Sequence, residues 1–261
     1  MTGTGLRWEQ SGPVGVATFD RPEVRNAITI EMADELAEHL RRAQRDDSVS
    51  VVVVTGGGRA FCGGGDLNRL ARRHEPIEVR KRLTEHMHQV AYAVAAFDKP
   101  LIAAVNGDAF GAGMDIALMA DFRLCARSAR FCTGYVLVGL VPGDGGAWFL
   151  PRVVGLPAAL DLLMTGRMVG ADEALAMGMV TRVVDDASLT DEAMAFAGQL
   201  ADRPTDLLQM IKRATYESAR SDLRTSLDLV AAQMGVIRTT EGSAESMRRF
   251  MEERRRPQPP S

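Results

Sequence analysis

The strongest structural constraint in the sequence is an apolar, valine-rich segment that runs directly into a glycine-rich one. The segment SVSVVVVT, from Ser48 to Thr55, is typical of a strand that is buried on both faces of a sheet. GGGRAFCGGGD follows it, from Gly56 to Asp66, and six of its eleven residues are glycine. Each glycine in regular structure costs roughly 0.5–1 kcal/mol of conformational freedom. Such a density therefore indicates backbone that bends sharply or lies close to another group.

The order of the predicted elements favours an α/β fold with a parallel sheet. Helices lie between four predicted strands, which cover Gly15–Asp20, Ser48–Thr55, Pro100–Gly107 and Phe122–Ala126. This βαβα order predicts parallel strands covered by helices, one of which is long and spans Val79 to Phe97. From about Asp191 the pattern is helical to the end. We therefore expect an α/β core over residues 1–190 and a helical region over residues 191–261.

Composition excludes several classes of protein. The net charge is −3 with both signs spread along the chain, so no basic block suggests a nucleic-acid or membrane partner. No apolar run reaches the roughly 18 residues of a membrane span, and the N-terminal residues do not resemble a signal peptide. The three cysteines, Cys62, Cys125 and Cys132, match no zinc spacing. We expect a cytoplasmic protein with reduced thiols and no bound metal.

Three glycine-rich segments of the α/β part are candidates for ligand contact: GGGRAFCGGGD, NGDAFGAGMD and VGLVPGDGGA. None has the lysine and hydroxyl residue that complete a P-loop. Gly111 and Gly113 begin a dinucleotide-binding pattern, but Ile116 stands where its third glycine is needed. The sequence therefore does not favour a phosphate cradle of either kind.

Bare backbone can also form an oxyanion hole, in which peptide N–H groups stabilise a developing negative oxygen. Each such donor contributes about 2.7–4 kcal/mol. One donor could come from the turn that ends at Gly65. A second could come from the helix start after Gly111, where Ala112 lies, because the first N–H groups of a helix have no intrahelical partner. Tight turns without any ligand explain the same glycines.

Several segments in the same order resemble the crotonase family, also called the enoyl-CoA hydratase/isomerase superfamily. FCGGGDL after the valine strand and AAVNGDAFGAGMDIALMADFRLCA carry the resemblance. It extends over RPEVRNAIT, GLVPGDGGAWFLPRVVG, LLMTGRMVGADEALAMGMVTRVV and MRRFMEERRRP, from about Trp8 to Pro257. It implies a crotonase-like fold, in which repeated ββα units form a sheet core with covering helices and a C-terminal helical extension. It also implies a homotrimer or homohexamer, whose C-terminal region serves oligomerisation and active-site closure.

The resemblance implies an acyl-CoA thioester substrate and no separate cofactor, since coenzyme A is part of the substrate. The oxyanion donors would be the N–H groups of Gly65 and Ala112, the second of which is commonly glycine in the family. The residues expected along the substrate are Arg25, Ala27, Gly63, Asp66, Leu67 and Gly111. Asp66 also has a structural interpretation, as a residue that bonds nearby turn amides. Arg25 would meet the coenzyme A phosphates, or is simply solvated.

Three side chains are the candidates for catalysis. The family's first glutamate position falls on Asp115, in a first helical turn where the dipole favours a carboxylate base. The second falls on Tyr135, whose phenol, with an ordinary pKa of about 10, can donate a hydrogen bond or line the acyl pocket. Asp144 lies one residue beyond a position that some relatives use for isomerisation, and it is also a plausible helix N-cap. Asp115 too has a purely structural interpretation, as a helix-stabilising charge.

The leading hypothesis is an enzyme of the enoyl-CoA hydratase/isomerase type. A backbone oxyanion hole would stabilise a thioester enolate, and a carboxylate would act as acid and base. The loss of the second glutamate keeps two alternatives open: a double-bond isomerase without hydratase activity, and a catalytically impaired acyl-CoA-binding protein. A thioester hydrolase or decarboxylase of the same family stays open as well.

Overall fold

The computed structural model describes residues 4–66 and 75–255. Its strands are β1 (Leu6–Ser11), β2 (Val14–Phe19), β3 (Val51–Gly56), β4 (Ala60–Cys62), β5 (Leu101–Val105), β6 (Asp108–Phe110), β7 (Phe122–Ala126), β8 (Arg130–Cys132), β9 (Val169–Gly170) and β10 (Arg182–Val184). Its α-helices are α1 (Ile30–Arg45), α2 (Pro76–Arg82), α3 (His88–Ala95), α4 (Ala112–Met119), α5 (Gly146–Val154), α6 (Leu156–Thr165), α7 (Ala171–Ala176), α8 (Leu189–Ala201), α9 (Thr205–Ser218), α10 (Leu223–Ile237) and α11 (Glu241–Arg255).

The larger sheet contains the four strands that the sequence predicts. Its order is β1-β2-β3-β5-β7-β10, and all neighbours are parallel except β1 and β2. The apolar runs of β3 and β5 lie in its centre, where Val51–Val54 and Leu101–Val105 are fully covered. The strand β1 was not predicted from the sequence because most of its side chains are exposed and several are polar.

A second sheet makes the repeat of the fold visible. Its order is β4-β6-β8-β9, in which β4, β6 and β8 are parallel and β9 is antiparallel to β8. Each of the pairs β3–β4, β5–β6 and β7–β8 therefore gives one strand to each sheet. This arrangement confirms the expected crotonase-like fold of repeated ββα units.

The long helix predicted from Val79 to Phe97 is interrupted. The helix α2 begins at Pro76 with a capping box between Glu75 and Glu78, and a π-helical turn over Leu83–Met87 joins it to α3. A π-helical turn rotates the residues that follow it relative to those before it, and such turns are frequent at functional sites.

The C-terminal helices differ in how they pack. Ala193 and Ala197 of α8 are buried, and α8 lies against the larger sheet, so the boundary predicted at residue 190 falls inside a core helix. In contrast, α9, α10 and α11 bury only Ile237 among their described residues. The division into two functional regions stays a prediction. Within the described ranges, no helix has both the length and the apolar content needed to cross a bilayer.

Candidate active site

Two asparagines, the fully buried Asn26 and the partly exposed Asn106, hold the first glycine-rich segment in place. The side-chain amide of Asn26, which is fully buried, donates to the carbonyl oxygens of Gly57 and Ala60 at 2.9 and 2.7 Å. Asn106 accepts from the Gly56 N–H at 3.1 Å and donates to Gly58 O at 3.0 Å. The backbone polar groups of this turn are therefore satisfied by side chains. Neither asparagine was among the residues predicted to form the site.

The turn after β4 lies against the start of α4. Gly64 has φ of +85°, and a Cβ at this position would lie 2.6 Å from Phe110 O and 3.6 Å from Ala112 N. The carbonyl of Gly64 accepts from Ile28 N–H at 2.8 Å. The next residue is Gly65, so the two predicted oxyanion donors belong to adjacent pieces of backbone.

The start of α4 depends on three small residues. Gly111 precedes the helix with φ of +50°, and Ala112 is its first residue. A Cβ at Gly113 would lie only 2.2 Å from the carbonyl oxygen of Cys62, which no real side chain tolerates. Glycine at this position therefore lets α4 approach β4 closely enough to bring Ala112 beside the turn.

Of the other residues expected along the substrate, those that the structure describes lie in or near this turn. Arg25 has φ of +54°, a mostly exposed side chain and a long ion pair of 3.9 Å with Asp108. Its carbonyl oxygen accepts from Gly63 N–H at 2.8 Å, and Ala27 N–H bonds back to Val24. The remaining residues of this expected set are the exposed Asp66 and, outside the described residues, Leu67.

The three candidate catalytic side chains form one hydrogen-bonded cluster. The Tyr135 hydroxyl lies 2.7 Å from Oδ2 of Asp115 and 3.1 Å from Oδ2 of Asp144. Asp115 is fully buried and Tyr135 is 8% exposed. Asp115 comes from α4, Tyr135 from the segment after β8, and Asp144 from the loop before α5. The fold thus brings together three residues that sequence position separates.

The two hydrogen bonds of this cluster require one proton on a carboxyl in addition to the phenol proton. A phenol has one proton to donate, so it cannot donate to both carboxylates at once. The second contact is favourable when that carboxyl is itself protonated and donates to the phenol oxygen. The two carboxyls then share one negative charge, as two neighbouring acids do when one pKa is strongly raised.

Burial dominates the electrostatics of Asp115. It raises the pKa of Asp115 to about 7, and the nearby charge of Asp144 raises it further, against the hydrogen bonds from Tyr135 and Gly146. The helix dipole, which was expected to favour the ionised form, contributes typically 0.3–1 kcal/mol and is outweighed by burial in the pKa of this carboxyl.

Asp144 does not cap a helix. The helix α5 begins at Gly146, its N-cap is Gly145 with φ of +127°, and no side chain caps it. The N-cap interpretation of Asp144 is therefore wrong. Burial raises the pKa of Asp144 as well, while its hydrogen bond with Tyr135 and the charges of Arg82 and His88 lower it.

Two further residues position the cluster. Gly146 N–H donates to Oδ2 of Asp115 at 2.8 Å. Nε2 of His88 lies 2.8 Å from the carbonyl oxygen of Gly143, the residue before Asp144. His86 instead contacts Asp34 on α1, at 2.8 Å. No sequence pattern predicts these roles, because each depends on how distant segments meet.

No metal-binding group emerges from the described part of the chain, where no three histidine, cysteine or acidic side chains cluster suitably. The three cysteines are buried and unpaired. Burial raises the pKa of Cys62 and Cys125 to about 12, so both are neutral thiols at physiological pH. Reactive-thiol chemistry at these two positions is therefore not supported.

The two sheets of ββα units, with a helix start beside a glycine turn, define a crotonase-like enzyme. A sequence profile of the family described as Enoyl-CoA hydratase/isomerase matches residues 9–258. The chain belongs to this family. It is an enzyme of the hydratase and isomerase class, and the family acts on acyl-CoA thioesters.

Individual relatives carry different activities in their names. The chain is 39% identical to the 1,2-epoxyphenylacetyl-CoA isomerase of Escherichia coli, over 81% of its own length and 82% of the relative's. It is 35% identical to a probable enoyl-CoA hydratase of Rhodobacter capsulatus, over 95% of both chains. The solved structure of an enoyl-CoA hydratase from Bacillus anthracis superposes with a TM-score of 0.90 at 29% identity, covering 95% of this chain and 96% of the other.

Proposed function

We propose that this enzyme isomerises an enoyl-CoA thioester by moving a proton between carbon atoms, without net addition of water. The observation that carries the proposal is the Tyr135 hydroxyl, which bridges the carboxyls of Asp115 and Asp144. Water addition in this family uses two carboxylates that hold one water between them. Here a phenol occupies the space between the two carboxyls, and isomerisation needs no such water.

The chemistry follows from the groups in the site. The N–H groups of Gly65 and Ala112 bind the thioester oxygen and stabilise the enolate that forms. A carboxylate, Asp115 or its partner Asp144, takes a proton from C2 and becomes a carboxylic acid. The electron pair of that C–H bond moves into the enolate, and the double bond then shifts as C4 takes up a proton. The name of the isomerase relative at 39% identity supports the same class of reaction.

Hydration is the second candidate, and one observation favours it. The Oδ1 atoms of Asp115 and of Asp144 are buried, and neither has a hydrogen-bond partner among the described residues. Buried polar atoms without partners commonly bind an ordered water. Such a water could attack C3 of a 2-enoyl-CoA if the substrate lay beside it.

One pair of assays separates these functions. A 3-enoyl-CoA is mixed with the enzyme, and the absorbance of the conjugated thioester is followed; we expect it to rise. In the second assay a 2-enoyl-CoA is mixed with the enzyme, and we expect no accumulation of the 3-hydroxyacyl product. A falling absorbance with that product, and no reaction of the 3-enoyl-CoA, would overturn the isomerase proposal in favour of hydration. Binding without either reaction would support the impaired acyl-CoA-binding alternative.

Self-association belongs to the same proposal. Among the described residues of α9–α11 only Ile237 is buried, yet seven large apolar side chains of these helices are each more than half exposed to solvent. These are Ile211, Leu223, Leu227, Met234, Val236, Met247 and Phe250. A second copy of the chain would remove this surface from water. Sedimentation at several concentrations tests it, and a purely monomeric species at all of them would contradict it.

A further inference from the structure

We propose that Tyr135 relays a proton between Asp115 and Asp144, so that the carboxyl which takes a proton from the substrate exchanges it with the other carboxyl. This inference deepens the proposed isomerisation and rests on it. It assigns the phenol a role in moving the proton, in addition to filling space. It also distinguishes an inner end of the cluster, at Asp115, from an outer end, at Asp144.

The contact geometry carries the inference. The phenol oxygen lies within hydrogen-bond distance of one oxygen from each carboxyl, 2.7 Å from Asp115 and 3.1 Å from Asp144. Oδ2 of Asp115 also accepts the N–H of Gly146 at 2.8 Å, so this oxygen receives two donors. Two positions of one shared proton satisfy these contacts: a protonated Asp144 donates to the phenol, whose own proton points to an ionised Asp115, or a protonated Asp115 donates to the phenol, whose proton points to an ionised Asp144.

The relay step is balanced in atoms and charge. When Asp115 takes a proton from substrate carbon, its Oδ1 is the available oxygen, since Oδ2 receives the phenol proton and the Gly146 N–H. Both carboxyls are then protonated, and Asp144 releases its proton to solvent. After the Asp115 carboxyl turns its O–H toward the phenol, the transfer breaks the O–H bonds of Asp115 and Tyr135 and forms O–H bonds on Tyr135 and Asp144. One proton is then on Asp144, the negative charge is on Asp115, and the phenol is unchanged. No oxidant, reductant or further reactant takes part.

The two ends of the relay face different surroundings. Asp115 is fully buried, between α4 and the start of α5. Asp144 is partly exposed, and the ionisable groups around it are Arg82 and His88 from the α2–α3 segment and Cys62 from β4. Arg82 and His88, when charged, favour a negative charge on Asp144. The outer carboxyl can therefore exchange its proton with solvent, whereas the inner one reaches solvent through Tyr135.

The first experiment examines the resting enzyme by infrared difference spectroscopy at neutral pH. We expect a carboxylic-acid C=O band in the wild type that is absent from both Asp115→Asn and Asp144→Asn. A shared proton disappears with either partner, whereas a proton that belongs to one carboxyl disappears with that carboxyl alone. A band lost in only one variant, or no band at all, would overturn the relay. This measurement does not depend on the substrate.

The second experiment follows the source of the transferred proton in D₂O. With wild-type enzyme, we expect exchange of the C2 protons of a saturated acyl-CoA with solvent. Tyr135→Phe should slow this exchange about 10²-fold, the lower end of what a positioned proton-transfer group contributes. Tyr216→Phe is the matched control, since its phenol also donates to an aspartate, Asp121, at 2.9 Å but lies outside the cluster. Exchange in Tyr135→Phe within twofold of the control would overturn the relay.

The outcomes separate the relay from the proposed function. If the infrared and exchange results are as expected but no 3-enoyl-CoA is isomerised, the relay stands and the isomerase proposal fails. If isomerisation occurs and exchange is insensitive to Tyr135, the relay fails alone. Thermal unfolding shows whether Tyr135→Phe is folded. Should it not be, Asp144→Asn, which keeps the phenol, is expected to show the same loss of exchange, and undiminished exchange would overturn the relay.

Discussion

Gly146 lies directly against both carboxyl oxygens of Asp115. The Gly146 N–H donates to Oδ2 of Asp115 at 2.8 Å, and a Cβ on Gly146 would lie 2.5 Å from Oδ1 of the same carboxyl. The start of α5 therefore fixes the position of this carboxyl on one side, as Tyr135 does on the other.

We expect Gly146→Ala to lower the isomerisation rate about 10²-fold, because the added methyl group must displace the Asp115 carboxyl, and misplacement by about 1 Å can cost that much. Steady-state kinetics with a 3-enoyl-CoA measure it. Gly198→Ala is the matched control, since a Cβ at that helical glycine meets no atom within 4 Å. Equal activities in the two variants would show that the carboxyl position is unimportant.

The pH dependence of kcat/KM should show an ascending limb near pH 7. Burial raises the pKa of Asp115 to about 7, and the base must be ionised, so the rate rises with pH until this group is deprotonated. The limb belongs to the pair of carboxyls, because Asp144 is coupled to Asp115 through Tyr135. Histidine side chains in general titrate in the same range. A limb that disappears in His88→Gln would assign it to the histidine instead.

Asp115 should also make the protein less stable at high pH. Its pKa is raised in the folded state above the unfolded value, so the folded chain binds more protons between about pH 4 and pH 7. Stability from this group is present below about pH 4 and is lost as the pH rises through 7. We expect Asp115→Asn to raise the free energy of unfolding by about 2–4 kcal/mol at a pH two units above that pKa.

Denaturant unfolding at the two ends of this pH range measures the difference. At the acidic end, where the wild-type carboxyl is neutral in both states, the two proteins should have nearly equal stability. A variant that is less stable than the wild type at the alkaline end would contradict the raised pKa. The same variant should have lost its proton-transfer activity, so stability and catalysis oppose each other at this residue.

Asn26→Ala should lower the free energy of unfolding by about 2–3 kcal/mol, because it leaves buried carbonyl oxygens of the glycine turn without donors. Chemical denaturation measures the change. Gln10→Ala is the matched control: its amide also donates to backbone carbonyls, of Gly12 and Ser48, but it is exposed. A similar small loss in both variants would show that Asn26 does not hold the turn.

The sequence predicts the larger sheet well and the smaller one poorly, for a physical reason. The strands β2, β3, β5 and β7 are five or six residues long and mostly apolar, so their patterns are visible in the sequence. The strands β4, β6 and β8 are three residues long, too short for any periodicity to appear. These short strands are expected only because the sequence motifs imply a crotonase-like fold.

The candidate site, like the fold, could be predicted only in part. Asp115, Tyr135 and Asp144 were all candidates from motif position, yet their mutual contacts could not be predicted. The path of the loop at Gly145, with φ of +127°, takes Asp144 away from the helix start and toward the phenol. The direction of the Asp115 pKa shift was missed because it depends on burial, which only the packed structure reveals.

The two proposed oxyanion donors belong to successive ββα units, one after β4 and one after β6, and these strands are paired in parallel. The spacing between the donors is thus set by strand pairing and by the contact of Gly113 with Cys62. Both donors are main-chain groups, so changes at Asp115, Tyr135 or Asp144 leave them in place. In a chain built this way, substitution of three side chains can change the reaction, while the backbone N–H groups that bind the thioester stay the same.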